Sequence, residues 1–210
     1  MHGNISKPFQ ETRDQILAHI RELVSLNQTP IVIALDGGSG AGKSTIANLI
    51  EIELDAVVIP LDDFFPADIP DSKWHEYSAS EKLKHVFKWD IVRNEVVVPL
   101  RSNKPAKWHA IDFISGQRPD GTFGLEDEPK FRKPAEVVLL DGAYSANPWL
   151  SDLLDLTILI DVPVEVRHAR LIEREAPDFL KDWHEIWDEV EDYYFNTIRP
   201  RNSFDLVIRY

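Results

Sequence analysis

A chain of 210 residues, 43% hydrophobic and 28% charged, has the composition of a soluble globular protein and is long enough for one domain with an excursion or lid. Its 36 acidic against 23 basic residues give a formal charge of −13, which repels nucleic acid and anionic membranes and disfavours both as partners. With no cysteine, disulfides, zinc–thiolate sites and thiol catalysis are excluded, which fits a cytoplasmic location.

No apolar run approaches the roughly 18 residues of a membrane helix, and the polar N-terminus lacks an apolar signal core. Residues 10–26 set Ile16, Leu17, Ile20, Leu23 and Val24 at helical spacing, and a turn follows over 27–30. The run IVIALD (31–36) predicts a strand buried on both faces. Glycines follow at 37, 38, 40 and 42, and the sequence TIANLIEIEL then reads as a helix. AVVIPL (56–61) is a second strand, running into a proline-rich, aromatic stretch expected to be a surface loop with little regular structure. Residues 79–98 read as helix in one or two pieces ending at Pro99. The stretch 100–135, with a short strand expected over 110–114, is the natural excursion from the main sheet. EVVLLDG (136–142) and LTILIDVP (156–163) are further strands, a helix follows over 164–175, and 204–208 is a last strand. Between them, Trp183, Ile186, Trp187, Val190, Tyr193 and Tyr194 form an apolar stripe that predicts core packing. Apolar strands alternating with helices predict an α/β fold with a mostly parallel sheet covered on both sides.

The strongest chemical signal is Gly37-Gly38-Ser39-Gly40-Ala41-Gly42-Lys43-Ser44-Thr45, which fits G-x-x-x-x-G-K-[ST] between a strand and a helix. Glycines let successive amides turn inward on a phosphate, and the helix start adds unpaired N–H groups and a positive dipole end. Lys43 reaches the β- and γ-phosphates, and the Ser44 hydroxyl is a ligand for Mg²⁺. No guanine-reading N-K-x-D and no L-S-G-G-Q signature is present, and the short chain favours a small-molecule kinase.

Ligands of parallel α/β sheets bind beyond the carboxyl ends of the strands. Asp36, Asp62, Asp63, Asp141 and Asp161 fall there. An acid beside a triphosphate is repelled unless it holds metal or takes part in the reaction. Asp62 is the candidate base for a hydroxyl acceptor, with Asp63 its rival, and Asp141 is a candidate Mg²⁺ partner. Arg167, Arg170 and Arg174 share a helix face and can close on an anion as a lid.

Together these segments resemble the uridine kinase-like branch of P-loop kinases, which includes phosphoribulokinase and bacterial pantothenate kinase. GGSGAGKST resembles the family's phosphate loop, and LDDFF its D-S-F-Y element, whose first Asp maps onto Asp62 as the base. VVLLDGAYS resembles V-x-x-E-G-I-x with Asp141 in place of Glu, and DVPVEVRHARLIERE resembles the lid helix that carries Arg167, Arg170 and Arg174. The resemblance implies a three-layer P-loop NTPase fold in one domain over 1–210, with a substrate excursion near 62–135 and a lid near 167–182. It implies transfer of the γ-phosphoryl of ATP, with Mg²⁺, to the hydroxyl of a nucleoside-like, sugar or pantothenate-like molecule; the alternative is a nucleotide-dependent switch without an acceptor. Residues 37–45 would bind the nucleotide, while Asp63, Phe65, Trp74, Trp108 and Phe113 would shape the acceptor pocket. Homo-oligomerisation is left open. The chain departs from the family on the acceptor side. Phe65 replaces a Tyr, Gly116 stands where a base-reading His is expected, and Glu81 and Asp90 compete for the ribose-binding acid. His75, His85 and His109 are further local candidates, each more in keeping with a structural role.

Overall fold

The computed structural model describes residues 7–26, 30–174 and 177–209. The turn expected over 27–30 falls, except for Pro30, outside them. The main sheet holds β1 (Ile31–Asp36), β2 (Ala56–Pro60), β7 (Val137–Asp141), β8 (Leu156–Asp161) and β9 (Leu206–Arg209), all parallel, in the order β2-β7-β1-β8-β9. Two small antiparallel pairs join β3 (Ala106–Trp108) to β6 (Lys130–Arg132) and β4 (Ile111–Asp112) to β5 (Gly124–Leu125).

Strand alternation sorts the core. Ile31, Ile33 and Leu35 point to the face covered by α1 (Lys7–Leu26) and α2 (Lys43–Glu53), where they meet Ile16, Ile20, Ile46 and Ile50. Val32, Val57, Ile59, Val138 and Leu140 point the other way, against residues of the helices between β2 and β3 and of α8 (Pro177–Tyr193). Both faces are therefore dry, and each fully buried aliphatic side chain is worth about 1.5–3 kcal/mol over exposure. The stripe over 182–198 lies here as core: Val190 and Tyr194 are fully buried.

Two expectations change. The stretch after β2 is not an unstructured surface loop. It forms a 3₁₀ turn (Leu61–Phe64) and a short helix α3 (Asp71–Trp74), and Trp74 is only 2% exposed. Nor does the helical stretch end at Pro99. After α4 (Ala79–His85) come α5 (Trp89–Ile91), a π-helical turn (Val92–Val97) and α6 (Val98–Arg101), with Pro99 in the first turn of the last. A first-turn position has no need of the N–H that proline lacks. The strand expected over 110–114 shrinks to Ile111–Asp112. Beyond β8 lie α7 (Val164–Arg174) and α8. No helix among the described residues is long and apolar enough to cross a membrane.

Candidate active site

Register brings the site together at the carboxyl edge of the sheet. Asp141 at the end of β7 pairs with Leu35 of β1 on one side and Pro60 of β2 on the other. The loop leaving β1 and the turn leaving β2 therefore flank Asp141. Residues 37–42 wrap into α2. Gly40 has φ +78°, and a Cβ there would sit 2.6 Å from the Arg167 carbonyl oxygen; Gly42, with φ 90°, opens α2 with no side-chain cap. The first-turn amides of α2 are thus left for an anion.

A cleft of about 410 Å³ opens above them, lined by Ser39, Gly40, Gly42, Lys43, Ser44, Thr45, Asp62, Asp141, Arg170 and Arg174 among others. Lys43 is buried and folds back to donate to the carbonyls of Gly37 (2.8 Å) and Gly38 (3.1 Å). Asp62 is exposed to the cleft solvent on one side and is enclosed by protein on the others. That burial pushes its carboxyl above the ordinary value; Lys43 pulls it back, and Asp141 and Asp63 push it further up. Burial likewise raises Asp141, against the pull of Lys43 and a Ser44 hydrogen bond.

The neighbouring carboxylate has a different fate. Asp63 is buried and spends both oxygens, accepting from Trp108 Nε1 (2.9 Å) and from Lys130 Nζ (2.7 Å). It ties the β3–β6 pair to the turn after β2 and does not line the cleft. Trp74 and Trp108, at 2% and 3% exposure, likewise fail as pocket-lining residues, because neither offers an open ring face. They back the wall instead. Phe65 contacts Trp74 (5.2 Å between ring centroids), Phe113 (5.8 Å) and Trp187 (5.9 Å), and Phe113 stands half exposed on the hairpin.

The three arginines also divide. Arg170 and Arg174 line the cleft, and Arg170 donates to the Gly40 and Ala41 carbonyls at 3.3 Å. Arg167 does not line the cleft. It lies behind the loop, donating to Ser39 O (2.9 Å) and pairing with Glu191 Oε2 (2.8 Å) at 12% and 7% side-chain exposure. Glu191 Oε1 accepts the Ser39 amide (2.7 Å), so the pair supports the loop from beneath. Glu191 is 152 residues from Ser39, and no local pattern marks it.

Asp36 is structural too. Fully buried, it accepts from the amides of Gly37 (2.7 Å), Tyr144 (2.9 Å) and Ala146 (2.9 Å) and from the Tyr194 hydroxyl (2.8 Å). Burial raises its carboxyl even against the bonds from Ala146, Tyr194 and Gly37 and the charge of Lys43. The grip holds Tyr144 at φ 66°, strained backbone for a bulky residue. Asp161 pairs with Arg201 (2.6 Å) and Arg209 (3.1 Å). Glu81 closes a capping box with Ser78, the exposed Asp90 opens α5, and His109 contacts the Glu126 carbonyl (2.9 Å). His85 stacks on Tyr77 (5.4 Å), and His75 is exposed outside the cleft lining.

A parallel sheet, a glycine loop at a helix start and an acid–lysine cleft at the strand ends define a P-loop phosphotransferase. The family described as Phosphoribulokinase / Uridine kinase family matches residues 32–208, and the chain belongs to it. A uridine kinase of Halobacterium salinarum is 30% identical over 176 residues, covering 81% of this chain and 72% of that protein. Two solved structures share the fold. A protein described as a possible uridine kinase from Bacillus stearothermophilus has TM-score 0.64 and 16% identity over 94% of this chain and 99% of that one. D-glycerate 3-kinase from Cryptococcus neoformans has TM-score 0.62 and 13% identity over 98% of this chain and 96% of that one. The protein is a small-molecule kinase, a phosphotransferase acting on a hydroxyl acceptor.

Proposed function

We propose that the protein transfers the γ-phosphoryl group of ATP to a hydroxyl of a small polar metabolite, with Asp62 as the base. The observation that carries this reading is the divergence of two adjacent carboxylates: Asp62 opens into the cleft with Lys43, while Asp63 is bound away. The loop amides and the start of α2 hold the β- and γ-phosphates. Lys43 leaves its carbonyl partners for them, and Arg170 and Arg174 neutralise charge on the transferring group. Asp62 accepts the hydroxyl proton as the acceptor oxygen bonds to phosphorus and the bond to the ADP oxygen breaks. Its raised affinity for protons suits that role.

Ser44 and Asp141 fit a Mg²⁺ ion. Asp141 Oδ1 is buried with no hydrogen-bond partner among the described residues, and both groups are hard oxygen donors. Mg²⁺ would supply charge neutralisation between the phosphates and these two residues.

The acceptor side argues against simple transfer of a uridine preference. A Cβ at Gly116 would lie 2.4 Å from the Asp112 carbonyl, so no side chain fits where a base-reading His is expected. Asp112 is itself spent on the amides of Ile114 (3.0 Å) and Ser115 (2.8 Å). A site without partners for a base's polar groups discriminates weakly for that base. The aromatic wall of Phe65 and Phe113 instead favours an acceptor with one apolar face.

The test is ATP consumption with nucleosides, sugars, sugar phosphates and pantothenate in turn. One acceptor class should raise turnover, and Lys43→Ala should abolish the rise and weaken ATP binding. Turnover that no compound raises would point to a nucleotide-dependent switch, and turnover unchanged in Lys43→Ala would remove the phosphate-loop assignment.

A further inference from the structure

Outside the phosphate cleft, His168 of α7 faces His184 and Asp188 of α8. The two imidazoles lie 4.2 Å apart between centroids. His184 Nδ1 is 3.0 Å from Asp188 Oδ1, and His168 Nε2 is 3.7 Å from the same oxygen. One ligand atom from each of the three lies within 4.8 Å of the others. None of them lines the cleft that holds Lys43 and Asp62.

The pairing of His184 with Asp188, one helical turn apart, is an ordinary helix contact by itself. The arrival of a second imidazole from another helix at the same carboxylate oxygen is the informative feature. Bonds of about 2.0–2.1 Å in a tetrahedral shell place ligand atoms roughly 3.3 Å apart. The separations of 3.0 and 3.7 Å to the Asp188 oxygen straddle that spacing and the third lies within 4.8 Å, so side-chain rotation that draws the two imidazole nitrogens together would complete a three-ligand shell with one position for water. Side-chain exposures of 31%, 25% and 44% for His168, His184 and Asp188 leave an entry path from solvent.

We propose that His168, His184 and Asp188 bind one divalent transition-metal ion of the zinc class, fastening α7 to α8. Two imidazoles and one carboxylate suit Zn²⁺ or Co²⁺ and not Mg²⁺, which prefers an octahedral oxygen shell. The site is therefore chemically separate from the Mg²⁺ position suggested for Ser44 and Asp141, and it does not depend on the identity of the phosphoryl acceptor. Its reach is longer than its size, because α7 carries Arg170 and Arg174 to the cleft. An ion here fixes the helix that presents them.

The full chain, stripped with chelator and held in excess Mg²⁺, is titrated with Co²⁺ while visible d–d absorption is followed. A saturable intense spectrum at one ion per chain, displaced by Zn²⁺, is expected. His168→Gln and His184→Gln should each weaken binding at least about 10-fold, since even outer-shell changes cost 10–100-fold. The double variant should lose the spectrum, and Zn²⁺ should raise the melting temperature of the parent protein but not of the double variant. Asp188→Asn, at a more exposed carboxylate, provides an independent loss, with circular dichroism in chelator checking that each variant is folded. A featureless titration of the parent protein, or a spectrum of unchanged affinity in the folded double variant, overturns the proposal and assigns any binding to histidines elsewhere.

Discussion

Asp62→Asn and Asp63→Asn should fail in different ways, although the residues are adjacent. Asparagine at 63 keeps the shape of the side chain but turns an NH₂ toward one of two donors, Trp108 Nε1 at 2.9 Å or Lys130 Nζ at 2.7 Å. A lost hydrogen bond to a charged group costs about 1.5–3 kcal/mol. Stranding Lys130 adds to this, but its 29% side-chain exposure lets water recover part of the loss. A total near 3 kcal/mol lowers the melting temperature by about 6–12 °C in a domain of this size. Asp62→Asn removes no such tie and relieves repulsion from Asp141, so it should melt at or above the parent temperature. Its turnover should fall about 10²–10⁴-fold, with ATP affinity retained. Calorimetry and steady-state kinetics on the two purified variants decide the matter. If Asp63→Asn melts normally and loses turnover while Asp62→Asn stays active, the assignment of base and tie is reversed and the reasoning fails.

Arg167→Ala should cost about 3–5 kcal/mol, because it leaves Glu191 buried without its counter-charge; urea denaturation measures this. Arg170→Ala should instead leave the unfolding midpoint close to that of the parent and depress kcat, and equal effects on both quantities in both variants would contradict the division between them. Tyr194→Phe removes a hydrogen bond to the charged form of Asp36, worth about 1.5–3 kcal/mol. Since burial raises Asp36 above 3.8, the native state binds its proton more tightly than the unfolded chain, and this group's contribution to stability declines as pH rises through that window. The deficit of Tyr194→Phe should therefore widen with rising pH and shrink toward acid; a deficit independent of pH would show that Asp36 does not titrate against this bond.

The main sheet was legible because its strands are near-continuous apolar runs between glycine and helix signals, and β1 falls on 31–36 as read. The excursion was not. Its strands are two or three residues long and pair across a dozen positions or more, as Asp112 does with Gly124 and Ala106 with Arg132, so no local period marks them. The phosphate loop was legible from spacing alone, since its chemistry rests on backbone shape. Which of Asp62 and Asp63 faces the cleft depended on the 3₁₀ turn, where successive side chains rotate by about 120°. Helical spacing placed Arg167 with Arg170 and Arg174 but could not tell the front of the loop from its underside. That distinction rests on Glu191, which arrives from far along the chain. Trp74 was placed in a surface loop because a tryptophan in a polar, proline-rich stretch reads as surface until the core beneath is known.

The four-way grip on Asp36 has a consequence for how such a protein can change. Gly37, Tyr144, Ala146 and Tyr194 hang from one carboxylate, so the exits of β1 and β7 and the end of the α8 region form a chassis that cannot shift piecemeal. The hairpin residues joined through Asp63 sit outside that chassis. Insertions or wholesale replacement there would leave the bonds to Asp36, and with them the loop after β1, in register.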